Sequence, residues 1–211
     1  MPVNSEYIIH GTNTRNLINI LNEGYIDNTP PKKNIMMLSD NPPKQIFTQL
    51  IYKDIPNEKI ERPLWFNCAI VLDKKLLKDY PFYASSVGGF TDKFENGKTN
   101  AETIIYGEGN LSRMPNLTKL KNAITKRLNI KNVFKGLNFM HSHEILFNKK
   151  ISLDAYCKCI IVFGASTSVK DKETMIELAN KINIPLKIYV DKKKQFNGLN
   201  NFIDIIEKNS K

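Results

Sequence analysis

The chain has 211 residues, 41% of them hydrophobic, enough for one domain with a full buried core over residues 1–211 and too few for two roomy ones. Its 31 basic residues exceed the 21 acidic ones by ten, a surplus that attracts phosphate-bearing partners over about 8 Å at cytosolic ionic strength, nucleic acid foremost. No run of about eighteen apolar residues occurs, and Met1 to Glu6 lacks the basic start and apolar centre of a secretion signal, so a soluble cytoplasmic protein with no membrane partner is expected. The chain is also rich in Lys, Asn and Ile, a bias that adds surface lysine without any nucleic-acid role.

Glu6 to His10 reads as a strand. Asn13 or Thr14 can then cap a helix whose Leu17, Ile18, Ile20 and Leu21 fall near one face, with Gly24 to end it. After Pro30-Pro31, Asn34 to Ser39 reads as a buried strand, closed by Asn41-Pro42-Pro43, and Gln45 to Tyr52 as a short helix. Leu64 to Leu72 is a strand, and Lys74 to Asp79 a helical turn before Pro81.

Ser85 to Thr103, with Gly88-Gly89 and Asn96-Gly97-Lys98, reads as a long surface loop of the kind that carries function. Leu117 to Leu128 has the spacing of a helix. From Glu144 the pattern is strand (Ile145 to Phe147), strand (Cys157 to Phe163), helix (Asp171 to Lys181) and strand (Leu186 to Val190), with a last short helix around Phe202 to Ile206. The class is α+β, on two small packed β-sheets with flanking helices.

Cys68, Cys157 and Cys159 make an odd set, and the last two stand two apart, on one face of a strand rather than in a bridge, which suits a reducing compartment. No second Cys or His pair lies at a zinc-like spacing, and His141 with His143 does not complete one, so no metal is expected.

Two short motifs, far apart, carry the chemistry. The first is His10-Gly11-Thr12 at the end of an apolar strand, followed by Asn16, Leu17, Ile20, Leu21 and Gly24. The second is Glu144, between His141-Ser142-His143 and Ile145-Leu146-Phe147, followed by Ile151-Ser152-Leu153, Ile160-Ile161-Val162 and Ile184-Pro185-Leu186-Lys187-Ile188. In that order they resemble the two ends of the NAD site in the ADP-ribosyltransferase superfamily, PARP-like branch with a histidine at the start and a glutamate at the end. Within it the chain is most similar to the DarT-type enzymes that modify DNA. The resemblance covers both ends of the chain and is thin between Ile46 and Asn138.

The resemblance implies an ADP-ribosyltransferase-like fold, NAD as co-substrate, and transfer of ADP-ribose to a macromolecule with release of nicotinamide, the acceptor being nucleic acid first. Such chemistry needs a carboxylate near the ribose, to stabilise an oxocarbenium-like sugar as neutral nicotinamide leaves, and backbone groups to fix the carboxamide. Glu144 would be that carboxylate. His10 would hold the ribose or pyrophosphate side, while the Gly11 backbone and the Thr12 side chain would meet the nicotinamide part. Ser39 and Tyr83 would line the cleft, Tyr83 stacking on nicotinamide, and Arg62 stands in for the family's first-half arginine. A toxin, a defence protein or a viral or mobile-element effector would all look like this, the last working in a host's cytoplasm or nucleus.

Three rivals differ in target or class. ADP-ribosyltransferases acting on protein arginine usually carry glutamate two positions before the catalytic one, where this chain has Ser142, which disfavours arginine but leaves a protein acceptor open. An RNA 2′-phosphotransferase needs a set of arginines and histidines, and here Arg15, Arg62, Arg113 and Arg127 are scattered. A catalytically silent basic nucleic-acid-binding module would use the lysines with stacking aromatics, but the aromatics lie mostly in apolar runs.

Overall fold

Tyr7-Ile8-Ile9 is a β-branched and aromatic run bounded by polar residues, and it forms the strand around which the rest assembles. The computed structural model describes residues 6–27, 46–52, 67–80, 82–85, 104–106, 144–147, 149–164, 167–189 and 199–210. In chain order these form β1 (Glu6–Thr12), α1 (Thr14–Glu23), β2 (Tyr25–Ile26), β3 (Ile46–Tyr52), β4 (Cys68–Asp73), α2 (Leu76–Asp79), β5 (Phe82–Ser85), β6 (Ile104–Tyr106) and β7 (Glu144–Phe147). Then follow β8 (Ile151–Ser152), α3 (Leu153–Tyr156), β9 (Cys157–Phe163), α4 (Val169–Lys181), β10 (Leu186–Tyr189) and α5 (Leu199–Asn209). The expected strand at Asn34 to Ser39, helix at Leu117 to Leu128 and loop beyond Ser85 lie outside the described residues.

The class is α+β. Hydrogen bonding links eight strands in the order β10-β9-β4-β1-β3-β7-β5-β6, and a separate ribbon joins β2 to β8. The eight strands form two leaves that share β3. Residues Gln49 to Tyr52 of β3 pair with Ile9 to Glu6 of β1, whereas Ile46 to Thr48 pair with Phe147 to Ile145 of β7. Beside β1, β4 and β9 pair antiparallel, and β10 returns parallel to β9 after the α4 crossover.

One expectation is overturned here. The short helix expected over Gln45 to Tyr52 is instead β3. Burial alternates from Ile46 to Leu50, but the buried row holds a polar Thr48 and the half-buried row an apolar Phe47, so the sequence loses the alternation that announces a strand and non-local pairing decides its form. Thr48 is buried too, and its hydroxyl donates to the Ile145 carbonyl at 2.8 Å.

The helices follow their local signals. Asn13 caps α1 by accepting from the Asn16 amide at 2.9 Å, and Gly24 ends it at φ 76°, a left-handed conformation that favours glycine. Leu17 and Leu21 are its fully buried face, each stabilising by about 1.5–3 kcal/mol. α1 lies against α4, which Ser168 caps through the Asp171 amide. α5 covers β3 and β9, with Phe202 buried against Phe163.

Candidate functional site at the fork of the sheet

The site begins with where β1 stops pairing. Its ladder to β3 ends at Ile9 opposite Gln49, while its ladder to β4 runs three residues further, through His10–Ile70 and Gly11–Ala69 to Thr12–Cys68. Beyond Ile9, β3 leaves β1 and crosses to β7. No strand among the described residues therefore pairs with His10, Gly11 and Thr12 on that side. Continuing the β3–β7 register by one step sets Gln49 opposite Glu144, so position 144 lies at the vertex of the fork, one ladder row from His10. Two inter-strand spacings, roughly 10 Å, separate the β1 and β7 backbones there.

His10 is half-buried, and its Nδ1 lies 2.9 Å from the Phe47 carbonyl on β3. A carbonyl can only accept, so that ring nitrogen carries the hydrogen and a neutral imidazole keeps its Nε2 lone pair for another donor. Burial lowers the His10 pKa below 6.5, and the bond to Phe47 only partly opposes this. The ring is thus an acceptor at neutral pH, fixed by a strand that touches both leaves.

A polar cluster secures the turn after the motif. The Asn67 amide donates to the Thr14 hydroxyl at 2.6 Å, and that hydroxyl lies 3.4 Å from the hydroxyl of the buried Thr167 and 4.0 Å from Cys68 Sγ. These contacts join the start of α1 to the start of β4 and to the turn before α4. The nearby thiol is not a nucleophile, since burial pushes Cys68 up to about 11 against the Thr14 contact that would lower it. Cys159 is likewise raised to about 11 by burial, with Ser210 opposing.

The structure brings the backbones of His10, Gly11, Thr12 and Glu144 to one fork. Thr12 is buried, only 4% exposed. Tyr83 lies on β5 and pairs with Leu146 of β7, two positions along from Glu144, which itself pairs with Ser85. Ser39 and Arg62 lie outside the described residues. Sequence reasoning missed the Phe47 carbonyl, which is backbone and carries no residue signal, and the Thr14–Asn67–Thr167 cluster, whose members stand in three distant segments.

Comparison with known proteins adds likeness of shape and nothing at the level of sequence. No family model matches the chain, and no curated protein matches it by sequence. Among solved structures it is similar to Thermus sp. 2.9 DarT in complex with NAD+, at 12% identity and TM-score 0.47 over 89% of this chain and 96% of that one. It is similar also to the same organism's DarT with ADP-ribosylated ssDNA, at 11% identity and TM-score 0.46 over 91% and 96% of the two chains. With carba-NAD+ the values are 12% and 0.46, over 92% and 98%. The roles of His10 and Glu144 rest on the motifs and the fork geometry.

Proposed function

We propose that this protein is an ADP-ribosyltransferase, transferring ADP-ribose from NAD to a macromolecular acceptor, nucleic acid first and protein second, with release of nicotinamide. The observation that carries the reading is the stretch His10-Gly11-Thr12, which no described strand pairs on its β3 side, with the Glu144 backbone across β3 on the row where β3 parts from β1. The fork is suited to a dinucleotide: unpaired backbone at a residue without a side chain can hold a carboxamide, and the neutral His10 ring offers an acceptor for a ribose hydroxyl.

The chemistry follows from that placement. The C1′–N bond of the nicotinamide riboside breaks with both electrons going to the ring nitrogen, and nicotinamide leaves neutral. The Glu144 carboxylate holds the 2′-hydroxyl and stabilises the cationic sugar, worth several kcal/mol in a dry site. An acceptor nitrogen or oxygen then bonds to C1′ and gives up its proton. By the family resemblance, Ser39, Tyr83 and Arg62 would be the further residues of the site.

Purified protein with labelled NAD and, separately, single-stranded DNA, RNA and cell extract tests the reading, with Glu144→Gln alongside. Label should move to nucleic acid and fall by about a hundredfold or more in the variant, whose NAD affinity should hold. Label moving only to protein changes the acceptor and keeps the chemistry. Transfer by Glu144→Gln at the wild-type rate removes Glu144 from catalysis, and no transfer or nicotinamide release at all favours the silent binding module.

A further inference from the structure

The segments bearing His10 and Glu144 meet a second time, away from the fork. Three residues after β7 the chain enters β8, which pairs with β2 just beyond the end of α1: Ile151 opposes Ile26, and Ser152 opposes Tyr25. The Leu153 amide donates to the Gly24 carbonyl at 3.0 Å. Ahead of that ribbon, Lys150 Nζ lies 3.1 Å from Asp27 Oδ2 and 4.2 Å from the centre of the Tyr25 ring. One ammonium thus engages a carboxylate and an aromatic face, both on the strand and turn that follow the helix of the His10 motif.

We propose that Lys150, with Asp27 and Tyr25, is a positioning residue for the reaction, clamping the Glu144 strand to the end of α1 so that the vertex of the fork keeps its width. This rests on the proposed transferase reading. β7 has only four residues, with three pairs to β3 and four to β5, and β5 is itself a four-residue strand, so short ladders alone set its position along its length. The burial of Ile145 and Phe147 chooses which face turns inward, and the ribbon supplies a second fixed point, beginning at Ile151 a few residues beyond β7. Small displacements of a catalytic group carry large rate penalties, and binding suffers less. The clamp therefore acts on turnover and not on NAD affinity.

The test uses Lys150→Ala, Asp27→Ala, their double variant and Lys150→Arg in the full chain, read by nicotinamide release and by amide exchange over Glu144–Phe147. Each alanine should lower kcat about three- to tenfold with KM within about twofold, the double should be no worse than either single, and Lys150→Arg should recover wild-type turnover. Exchange should speed up over Glu144–Phe147 and stay unchanged over Tyr7–His10. Unchanged kcat, additive single effects, or a loss matched by a fall in melting temperature and restored by stabilising salts would overturn the clamp. If the wild type releases no nicotinamide, the transferase reading falls, and the exchange result alone decides the clamp: equal exchange in wild type and Lys150→Ala removes it.

Discussion

The His10 ring serves the fold through its bond to Phe47 and, in the proposed reaction, a ligand as well, and pH separates the two. Burial lowers its pKa from 6.5, so between the folded and unfolded values the unfolded chain binds a proton that the native state refuses. Stability is therefore full above about pH 6.5 and falls as pH drops through that value toward the folded pKa. Ligand binding should follow the folded value: NAD affinity holds level from about pH 7.5 to 6.5, where an exposed histidine would already be half protonated, and weakens only below. Titration calorimetry with NAD across that range checks it, and a midpoint at 6.5 would mean that the ring is solvated and loosely held. His10→Ala should weaken NAD about three- to tenfold, the worth of one hydrogen bond, and remove that part of the acid sensitivity of folding.

Elements with a local signal are legible, whether helix caps or the apolar runs of β1, β4, β7, β9 and β10, and those that exist only through a partner are not. The Asn13 cap and the Gly24 stop stand in the sequence as written, and α1 begins and ends on them. β3 hides its period because Thr48 sits on its buried row and Phe47 on its half-buried one. β2, β8, β5 and β6, of two to four residues, exist through their partners and have no pattern long enough to detect. The two halves of the candidate site were readable as motifs, whereas the fork that joins them was not, because it depends on one strand dividing its hydrogen bonds between two neighbours. The local signals have measurable worth. At Gly24 an added Cβ meets nothing within 4 Å, so Gly24→Ala should cost about 1 kcal/mol from the left-handed backbone alone, and Asn13→Ala a similar amount from the lost cap. Urea unfolding would measure both, and a neutral Gly24→Ala would imply that the turn rearranges.

On the scale of the whole molecule, the surplus of ten positive charges is spread unevenly along the sequence. Residues 107–143 alone hold seven basic residues, from Arg113 to Lys135, against Glu108, and lead straight into β7. If the acceptor is nucleic acid, its attraction should come from that stretch and not from the lysines of α4 and β10. Each phosphate contact to a single strand adds about 0.7 to the slope of log affinity against log salt. Replacing Lys119, Lys121 and Lys126 by Gln should therefore flatten the slope for single-stranded DNA by about 2 if all three contact phosphate, while Lys170, Lys181 and Lys187 changed likewise should leave it alone. Nicotinamide release without DNA should match wild type in both triple variants, since Coulomb steering of the acceptor leaves the sugar chemistry at the fork untouched. A slope that falls only in the second triple variant would put the binding field on the outer surface of α4 and β10, and would separate acceptor binding from the chain leading into Glu144.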